Sequence, residues 1–529
     1  MKRSIDILIK DGLIFDGSGT EPFVSDIAIS GDSIRSVGEI HESAAEMVIP
    51  AKGLAVAPGF IDTHAHSDFT LIADPRAEGK ILQGVTTEIN GNCGMSAAPL
   101  YGKALERRED DLNELGIRHR WKTVREYRTL IAQQGAAINI AMLAGHGNIR
   151  GAVIGYENRG PSDREFLTMS NLLNDAVREG AMGLSTGLIY PPGIYSETEE
   201  LIKLCRVLQP YGIIYTSHMR SEGAMLLEAI REVITIGKGS GVRVHVSHIK
   251  TAGMQNWHKA DRAISMIMDA RNDGLQITCD RYPYTASSTD LDSLLPPWAF
   301  EGGNEQELQR LIHEDTRARL RKELLDQTQG SGYWERVIVS SVASETNQWM
   351  EGKTIAQISS NINSDEIETV FNILVQERLR AGAIFMSMNE DNLRKFLSLP
   401  FCAIGSDSSA RSFNGPTRLG RPHPRTFGTF PRFLGAYVRD AALMPMTEAV
   451  RRTTSLPAEI FGLKGRGRLK EGMFADITVF DPARISDKAT FDDPFQGPEG
   501  IPYVLVNGIP AVWEGRPTGR LSGRMLVRQ

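Results

Sequence analysis

Cysteine is scarce: Cys93, Cys205, Cys279 and Cys402 are the four in a chain of 529 residues. So few, so widely spread, exclude a disulfide framework and make a reducing compartment, the cytoplasm, the simplest setting. There is no excess of basic charge. Lys and Arg total 59 against 65 Asp and Glu, a formal net charge of −6, which argues against a nucleic-acid partner or an anionic membrane surface. A small anionic substrate stays compatible, because a local pocket can oppose the global sign. No apolar run approaches membrane-spanning length. The start, Met1-Lys2-Arg3-Ser4-Ile5-Asp6, lacks the apolar stretch of a signal peptide. Internal repeats and low-complexity tracts are also missing.

What is present is ordinary globular composition, 41% hydrophobic and 23% charged. The length suits one large α/β domain with smaller pieces, as a monomer or small homo-oligomer. Both ends read as short strands with Gly and Asp turns. Ile5, Ile7 and Ile9 alternate on one face, and the runs 26–30 and 33–37 follow; at the other end come 472–481, 503–508 and 512–515. Neither set is large enough alone, so the two ends are predicted to pack as one β-sandwich. Between them short apolar runs alternate with helical stretches. Eight predicted strands, 54–61, 86–90, 138–143, 182–185, 213–216, 243–247, 276–279 and 402–404, are the number a closed (β/α)8 TIM barrel needs. The long gap before the eighth holds a charged helical stretch, 305–327, and reads as a small inserted subdomain at about 286–345. The predicted division is therefore 1–55 and 456–529 for the sandwich and 56–455 for the barrel.

Chemistry-bearing residues collect where these strands end. The first runs into Asp62-Thr63-His64-Ala65-His66, the second into Asn90-Gly91-Asn92-Cys93-Gly94, the fifth into Ser217-His218, the sixth into Ser247-His248 and the eighth into Ser406-Asp407. In a barrel, catalytic groups sit at the carboxyl ends of the strands. His-x-His on a strand points both imidazoles the same way, because side chains repeat with a period of two. A lone buried histidine is usually a hydrogen-bonded core residue, and a lone cysteine usually packing; Cys205, Cys279 and Cys402 are read that way. The inference rests on six groups converging on one rim. Imidazole and thiolate with one carboxylate suit Zn2+ better than Ca2+ or Mg2+. Such a metal brings the pKa of its water to about 7 and polarises a carbonyl, and Asp407 is placed to move the proton. His245 lies out of phase with the rim and is read as structural. His41, His119, His258 and His313 read as surface residues. His146 is either a neighbour orienting a ligand or plain packing, and His423, in a Pro-rich loop, is a candidate pocket cover.

Pro58-Gly59-Phe60-Ile61-Asp62-Thr63-His64-Ala65-His66 and the run from Gly472 to Asp481 resemble the opening and closing signatures of the amidohydrolase superfamily. Strand four carries no lysine to bridge two metals, whereas Cys93 closes strand two. This is similar to the N-acyl-D-amino-acid deacylases, also called D-aminoacylases. Gly183-Leu184-Ser185-Thr186-Gly187-Leu188, Ser247-His248-Ile249-Lys250, Asp280-Arg281-Tyr282-Pro283-Tyr284, His423-Pro424-Arg425 and Gly428-Thr429-Phe430-Pro431-Arg432 extend the similarity over nearly the whole chain. The resemblance implies a tight zinc on Cys93, His218 and His248, a weaker second site on His64, His66, Cys93 and Asp407, and Asp407 as general base then acid. It also implies hydrolysis of N-acyl-D-amino acids to a carboxylate and a free D-amino acid; D-selectivity follows from nothing else. One departure is Ser408-Ser409, where many relatives have Gly after the aspartate.

A substrate with a free carboxylate needs a cationic or phenolic anchor. Lys250 and Tyr282 are the candidates, with Ser287 and Ser288 as further hydrogen-bonding groups. Tyr190, Leu294, Leu295 and Met350 are expected to overhang the rim. The apolar run Leu294-Leu295-Pro296-Pro297-Trp298 predicts a preference for hydrophobic D-residues. Two other functions compete: a cyclic-amide hydrolase acting on hydantoins or dihydropyrimidines, and a non-catalytic metal-binding scaffold.

Overall fold

The alternating isoleucines place Ile5–Ile14 in a strand that pairs antiparallel with Phe23–Ser30, which in turn pairs with Ser33–Gly38. The same first strand pairs parallel with Ala45–Pro50 and Ala55–Pro58. From the other end of the chain, Ile477–Phe480 pairs antiparallel with Ala55–Pro58 and leads through Tyr503–Val506 and Ile509–Trp513 to Arg516–Pro517. The two ends thus join by continuous hydrogen bonding into one nine-stranded sheet. Its apolar cluster draws on both, with Ile7, Ile27 and Ile34 against Ile477, Val479 and Leu505. This computed structural model describes residues 5–42, 45–328 and 332–528; the opening residues 1–4 lie outside them. Among the described residues no helix is long and apolar enough to cross a membrane.

The barrel consists of Phe60–Asp62, Val85–Asn90, Asn139–Met142 continued by Ala144–Gly145, Gly183–Gly187, Ile214–His218, Arg243–Val246, Ile277–Arg281 and Cys402–Ile404. Every neighbouring pair is parallel. Backbone bonds cross the seam between last and first: Asp407 N–H to His64 O at 2.7 Å, and His66 N–H to Ser408 O at 3.1 Å. Most barrel-strand residues are buried, as a parallel sheet covered on both faces requires. Helices cover the outside through apolar stripes at helical spacing. Asp163–Glu179 buries Met169, Leu173, Ala176 and Val177, and begins at a Ser162/Glu165 capping box.

The single predicted strand 54–61 is in fact two. Ala55–Pro58 belongs to the terminal sheet and Phe60–Asp62 to the barrel. Pro58 has no N–H to carry a ladder onward. Gly59 turns the chain where a Cβ would lie 2.1 Å from Thr86 Oγ1, so only glycine fits between the two sheets.

The segment between the last two barrel strands builds its own layer. Ser287–Asp290, Gly382–Phe385 and Val337–Ser341 form an antiparallel sheet in that order. It is backed by helices including Asn304–Ile312 and Glu366–Gln376, around an apolar cluster running from Leu291 to Ala383. The unit therefore continues past residue 345: its last strand lies between the other two and must be added before the sheet exists. Of the predicted segment, 329–331 lie outside the described residues.

This layer contains a buried acidic cluster that couples stability to pH. Burial, then the neighbouring carboxylates, push Glu307 up to about 9 and Asp292 up to about 7, only partly offset by Arg107. Both folded values exceed those of free carboxyls, 4.5 and 3.8. The folded chain thus holds these protons more tightly. Their stabilisation is complete below about pH 4 and is lost as pH rises through about 7 and then 9. Glu307→Gln should flatten the decline of the unfolding temperature between pH 5 and pH 9. Parallel wild-type and variant curves over that window would refute the assignment.

Candidate metal centre

Because all eight strands are parallel, their carboxyl ends open on one side. There the side chains of His66, Cys93, His218, His248 and Asp407 line a cavity of about 380 Å³, with His64 fully buried against them. His64 Nε2 is 3.3 Å from Cys93 Sγ, and His248 Nε2 is 3.4 Å from the same sulfur. Asp407 Oδ1 is 3.2 Å from His66 Nε2 and 3.6 Å from His64 Nε2. Donor atoms within 4.8 Å of one another form three overlapping groups: His64, Cys93 and His248; His64, His66 and Asp407; His218, Glu222 and His248. The trio Cys93, His218 and His248 that the resemblance implies is spread across two of these groups, with His248 common to both.

Three of these residues sit in left-handed backbone: Cys93 at φ +53°, His248 at +36° and Asp407 at +50°. Each costs about 1–3 kcal/mol in a non-glycine residue, and the surroundings hold it. Asp407 is tied by its N–H to His64 O. The turn carrying Cys93 lies against Gly187, where a Cβ would come within 2.2 Å of Cys93 O.

The electrostatics are those of a site poised for a cation. Burial alone would raise the Cys93 thiol, yet His64 and His248 outweigh it and hold the thiol well below its usual range. Burial would likewise raise Asp407, but the Arg425 guanidinium, then His248 and His66, keep the carboxyl well below the ordinary value. The carboxylate is thus ionised at neutral pH, and the thiol is biased toward its anionic form. His218 is buried with neither ring nitrogen hydrogen-bonded among the described residues. An imidazole so placed without a partner is an open donor, since burial of an unpaired polar group is unfavourable.

Supporting residues surround the donors. Asp280 accepts from the His248 backbone N–H at 2.5 Å, and its other oxygen is 2.9 Å from His245 Nε2 and 3.3 Å from His64 Nδ1. His245, read as structural from its phase, thus steadies the carboxylate that orients His64, the arrangement metal-ligating histidines require. Below them Lys80 is wholly buried and lies 2.8 Å from each of Asp62, Glu88 and Ser406. It ties the first, second and eighth strands together.

The remaining predicted positions divide. Lys250, Tyr190, Ser287, Ser288 and His423 line the cavity. Lys250 Nζ is 2.5 Å from Glu222 Oε1 and 2.7 Å from His248 Nδ1. Tyr282 is buried behind the wall, its hydroxyl unpartnered among the described residues. Arg281 and Arg425 lie over its ring at 4.0 and 4.5 Å. Leu295 does not reach the cavity: with Leu294 and Met350 it packs into the core of the inserted layer. An apolar run beside a sheet of its own is drawn to that core, so it gives the cavity no apolar wall. His146 pairs with Glu200 at 3.1 Å, away from the donors.

Among the cavity residues that went unpredicted, two stand beside the clustered histidines and Asp407. Glu222 lies 4.0 Å from His218 Nε2 and 2.8 Å from His248 Nδ1. Its signal was present, four residues after His218. Arg425 Nη1 stands 2.9 Å from Asp407 Oδ2; it lay inside a quoted motif but carried no role.

An eight-stranded parallel barrel with a His-, Cys- and Asp-lined mouth defines a metal-hydrolase architecture, and the amidohydrolase family model matches residues 47–512. The chain belongs to the amidohydrolase family. It is 35% identical to the D-aminoacylase of Alcaligenes xylosoxydans xylosoxydans over 99% of this chain and 98% of that one. It is 34% identical to the N-acyl-D-glutamate deacylase of the same organism, over 100% and 98%. Among solved structures it is similar to the N-acyl-D-glutamate deacylase of Bordetella bronchiseptica, complexed with zinc and a phosphonate mimic of the tetrahedral intermediate. That likeness has a TM-score of 0.83 and 33% identity, and covers 99% of this chain and 100% of that one.

Proposed function

We propose that this protein is a zinc-dependent N-acyl-D-amino-acid deacylase. The observation that carries the reading is the cluster of imidazole, thiolate and carboxylate donors at the barrel mouth, including His218 with two unpartnered ring nitrogens. Relatives covering essentially the whole chain are named for this activity.

The residues fit the metal. A sulfur with several imidazole nitrogens selects zinc over hard cations. Cys93, His218 and His248 would hold one ion tightly, and His64 and His66, with Cys93 and Asp407, a second more weakly. Bound zinc supplies Lewis acidity, polarising a carbonyl and making water more acidic. The chain's own groups do the rest. The Asp407 carboxylate, held ionised by Arg425, accepts the proton of the water that adds to the acyl carbon. It then delivers that proton to the nitrogen as the C–N bond breaks, freeing a carboxylate and an amine. Lys250 and Arg425, which line the cavity, would meet the substrate's α-carboxylate, and the Tyr282 hydroxyl, unpartnered behind the wall, is the further donor that the resemblance implies. Arg425 Nη1 has no aligned hydrogen-bond partner among the described residues despite its ion pair, and so keeps a donor to offer. Ser287 and Tyr190 complete the wall.

The same reading assigns two units, 1–55 with 456–529 and 56–455, the second carrying the inserted layer. It describes a cytoplasmic monomer or small homo-oligomer acting on a small molecule without nucleic acid, which the charge and cysteine content favour. A ring-opening hydrolase is the weaker reading, because the full-length relatives are named for linear amides. A non-catalytic scaffold is weaker still, with all six donor positions intact around one cavity.

Steady-state hydrolysis of N-acetyl-D-leucine and N-acetyl-D-glutamate against their L-forms, with zinc measured on the same sample, tests the function. Turnover of D-forms alone, abolished by chelation and restored by zinc, is expected. Zinc-loaded protein that opens hydantoins and leaves both D-substrates intact would refute the proposal.

A further inference from the structure

Four cationic side chains line the cavity: Arg108, Lys250, Arg411 and Arg425. Three of them already face a protein carboxylate. Arg108 lies 2.8 Å from Asp111, Lys250 2.5 Å from Glu222 and Arg425 2.9 Å from Asp407. Arg411 differs. Among the described residues no carboxylate oxygen stands within ion-pair distance of it, and its guanidinium donates to the Leu419 carbonyl at 2.5 Å. Burial pulls its pKa down to about 10, with Glu351 the one charge opposing the shift. A half-buried guanidinium facing a cavity without a counter-ion is an unsatisfied cation, and its natural complement is a carboxylate.

The backbone beneath it is pinned. Arg411 O accepts from Gly79 N–H at 2.8 Å, the preceding Ala410 N–H donates to Ser67 Oγ at 2.6 Å, and Ser412 N–H donates to Thr417 Oγ1 at 3.0 Å. The charge is thus presented from a fixed base, four residues beyond Asp407. It also stands at a boundary. Arg411, Arg108, Asp290, Ser341 and Leu419 line both the inner cavity and an outer cleft of about 570 Å³ between barrel and inserted layer. The outer cleft, unlike the inner cavity, is not lined by His66, Cys93, His218, His248 or Asp407, so a group held at the boundary would lie at the cleft end of the inner cavity.

We infer that Arg411 is the receptor for a second, distal carboxylate of the substrate, so that the preferred substrates are N-acyl-D-amino acids carrying an extra carboxylate on the side chain or on the acyl chain. This rests on the deacylase reading, and it runs against the hydrophobic preference drawn from Leu294 to Trp298, since that loop does not reach the cavity.

The test compares wild type, Arg411→Gln and Arg411→Lys on N-acetyl-D-leucine, N-acetyl-D-glutamate and N-succinyl-D-leucine. Wild type should favour one of the two dicarboxylates: the glutamate if the side chain is read, the succinyl compound if the acyl chain is. Arg411→Gln should raise KM for that substrate by about 10–100-fold, the value of a charge-assisted hydrogen bond. It should change N-acetyl-D-leucine less than about threefold, and Arg411→Lys should fall between. Equal losses on all three substrates, or no preference for either dicarboxylate in wild type, would overturn the inference. Calorimetric binding of the same three compounds in an Asp407→Asn background separates the two levels of the claim. Selective loss of dicarboxylate binding on adding Arg411→Gln upholds the receptor even if turnover fails. Unselective loss refutes it even if turnover succeeds.

Discussion

Asp407→Asn should lower kcat by about 10²–10⁴-fold, the usual worth of a positioned acid–base group, with little change in KM. Asparagine keeps the size of the side chain but only one acceptor oxygen, so it can face either His66 Nε2 or Arg425 Nη1, which lie 3.2 and 2.9 Å from different carboxylate oxygens, and gives up the other contact. It cannot take up a proton at neutral pH. The backbone should tolerate it, because asparagine enters left-handed φ more readily than most residues and φ is +50° here. Zinc content should stay near wild type, since Cys93, His218 and His248 are untouched. Product amine and metal are to be measured on one preparation. Activity within a few-fold of wild type at full metal occupancy would remove Asp407 from the chemistry. Loss of zinc in parallel with activity would make it chiefly a ligand.

Cys93→Ala should be as damaging to activity by another route. The sulfur is the one soft ligand in the cluster, 3.3 and 3.4 Å from two imidazole nitrogens, and its negative charge is the largest influence that raises His64 against burial. Removing it leaves facing imidazoles with little to hold a cation. Zinc affinity should fall by more than the roughly 10–100-fold that loss of an outer partner costs, and turnover should fall with it at limiting zinc. Saturating zinc should restore only part of the activity. A variant that retains stoichiometric zinc after dialysis would show that the imidazoles and Glu222 suffice, and would move the tight site onto His218, Glu222 and His248.

Much of this site was legible because a barrel converts a linear pattern into a ring. The period of two puts His64 and His66 on one side of an extended segment, and parallel strands bring their carboxyl ends to one rim. The ends of predicted strands therefore named six residues whose side chains the structure gathers at one rim. The strands themselves stood out as apolar runs because a sheet covered on both faces tolerates little polarity.

Misplaced features share a different origin. Leu295 belongs to an apolar run that two cores competed for, and the inserted layer took it once Gly382–Phe385 completed a sheet nearly a hundred residues later. The split at Pro58-Gly59 was hidden because both strands are equally apolar; only the contact of Gly59 with Thr86 separates them.

The sequence by itself determined the barrel, the union of its two ends and the six residues that gather at the barrel mouth, because each is written in local periodicity and residue chemistry. Tertiary structure alone decided which charges are paired and which are free. Arg425 meets Asp407, Glu222 meets Lys250 and His248, Asp280 joins His64 to His245, and Arg411 is left facing the cavity. The physical reason is range: periodicity acts over a few residues, whereas an ion pair depends on angstrom-scale placement of groups brought together by barrel closure.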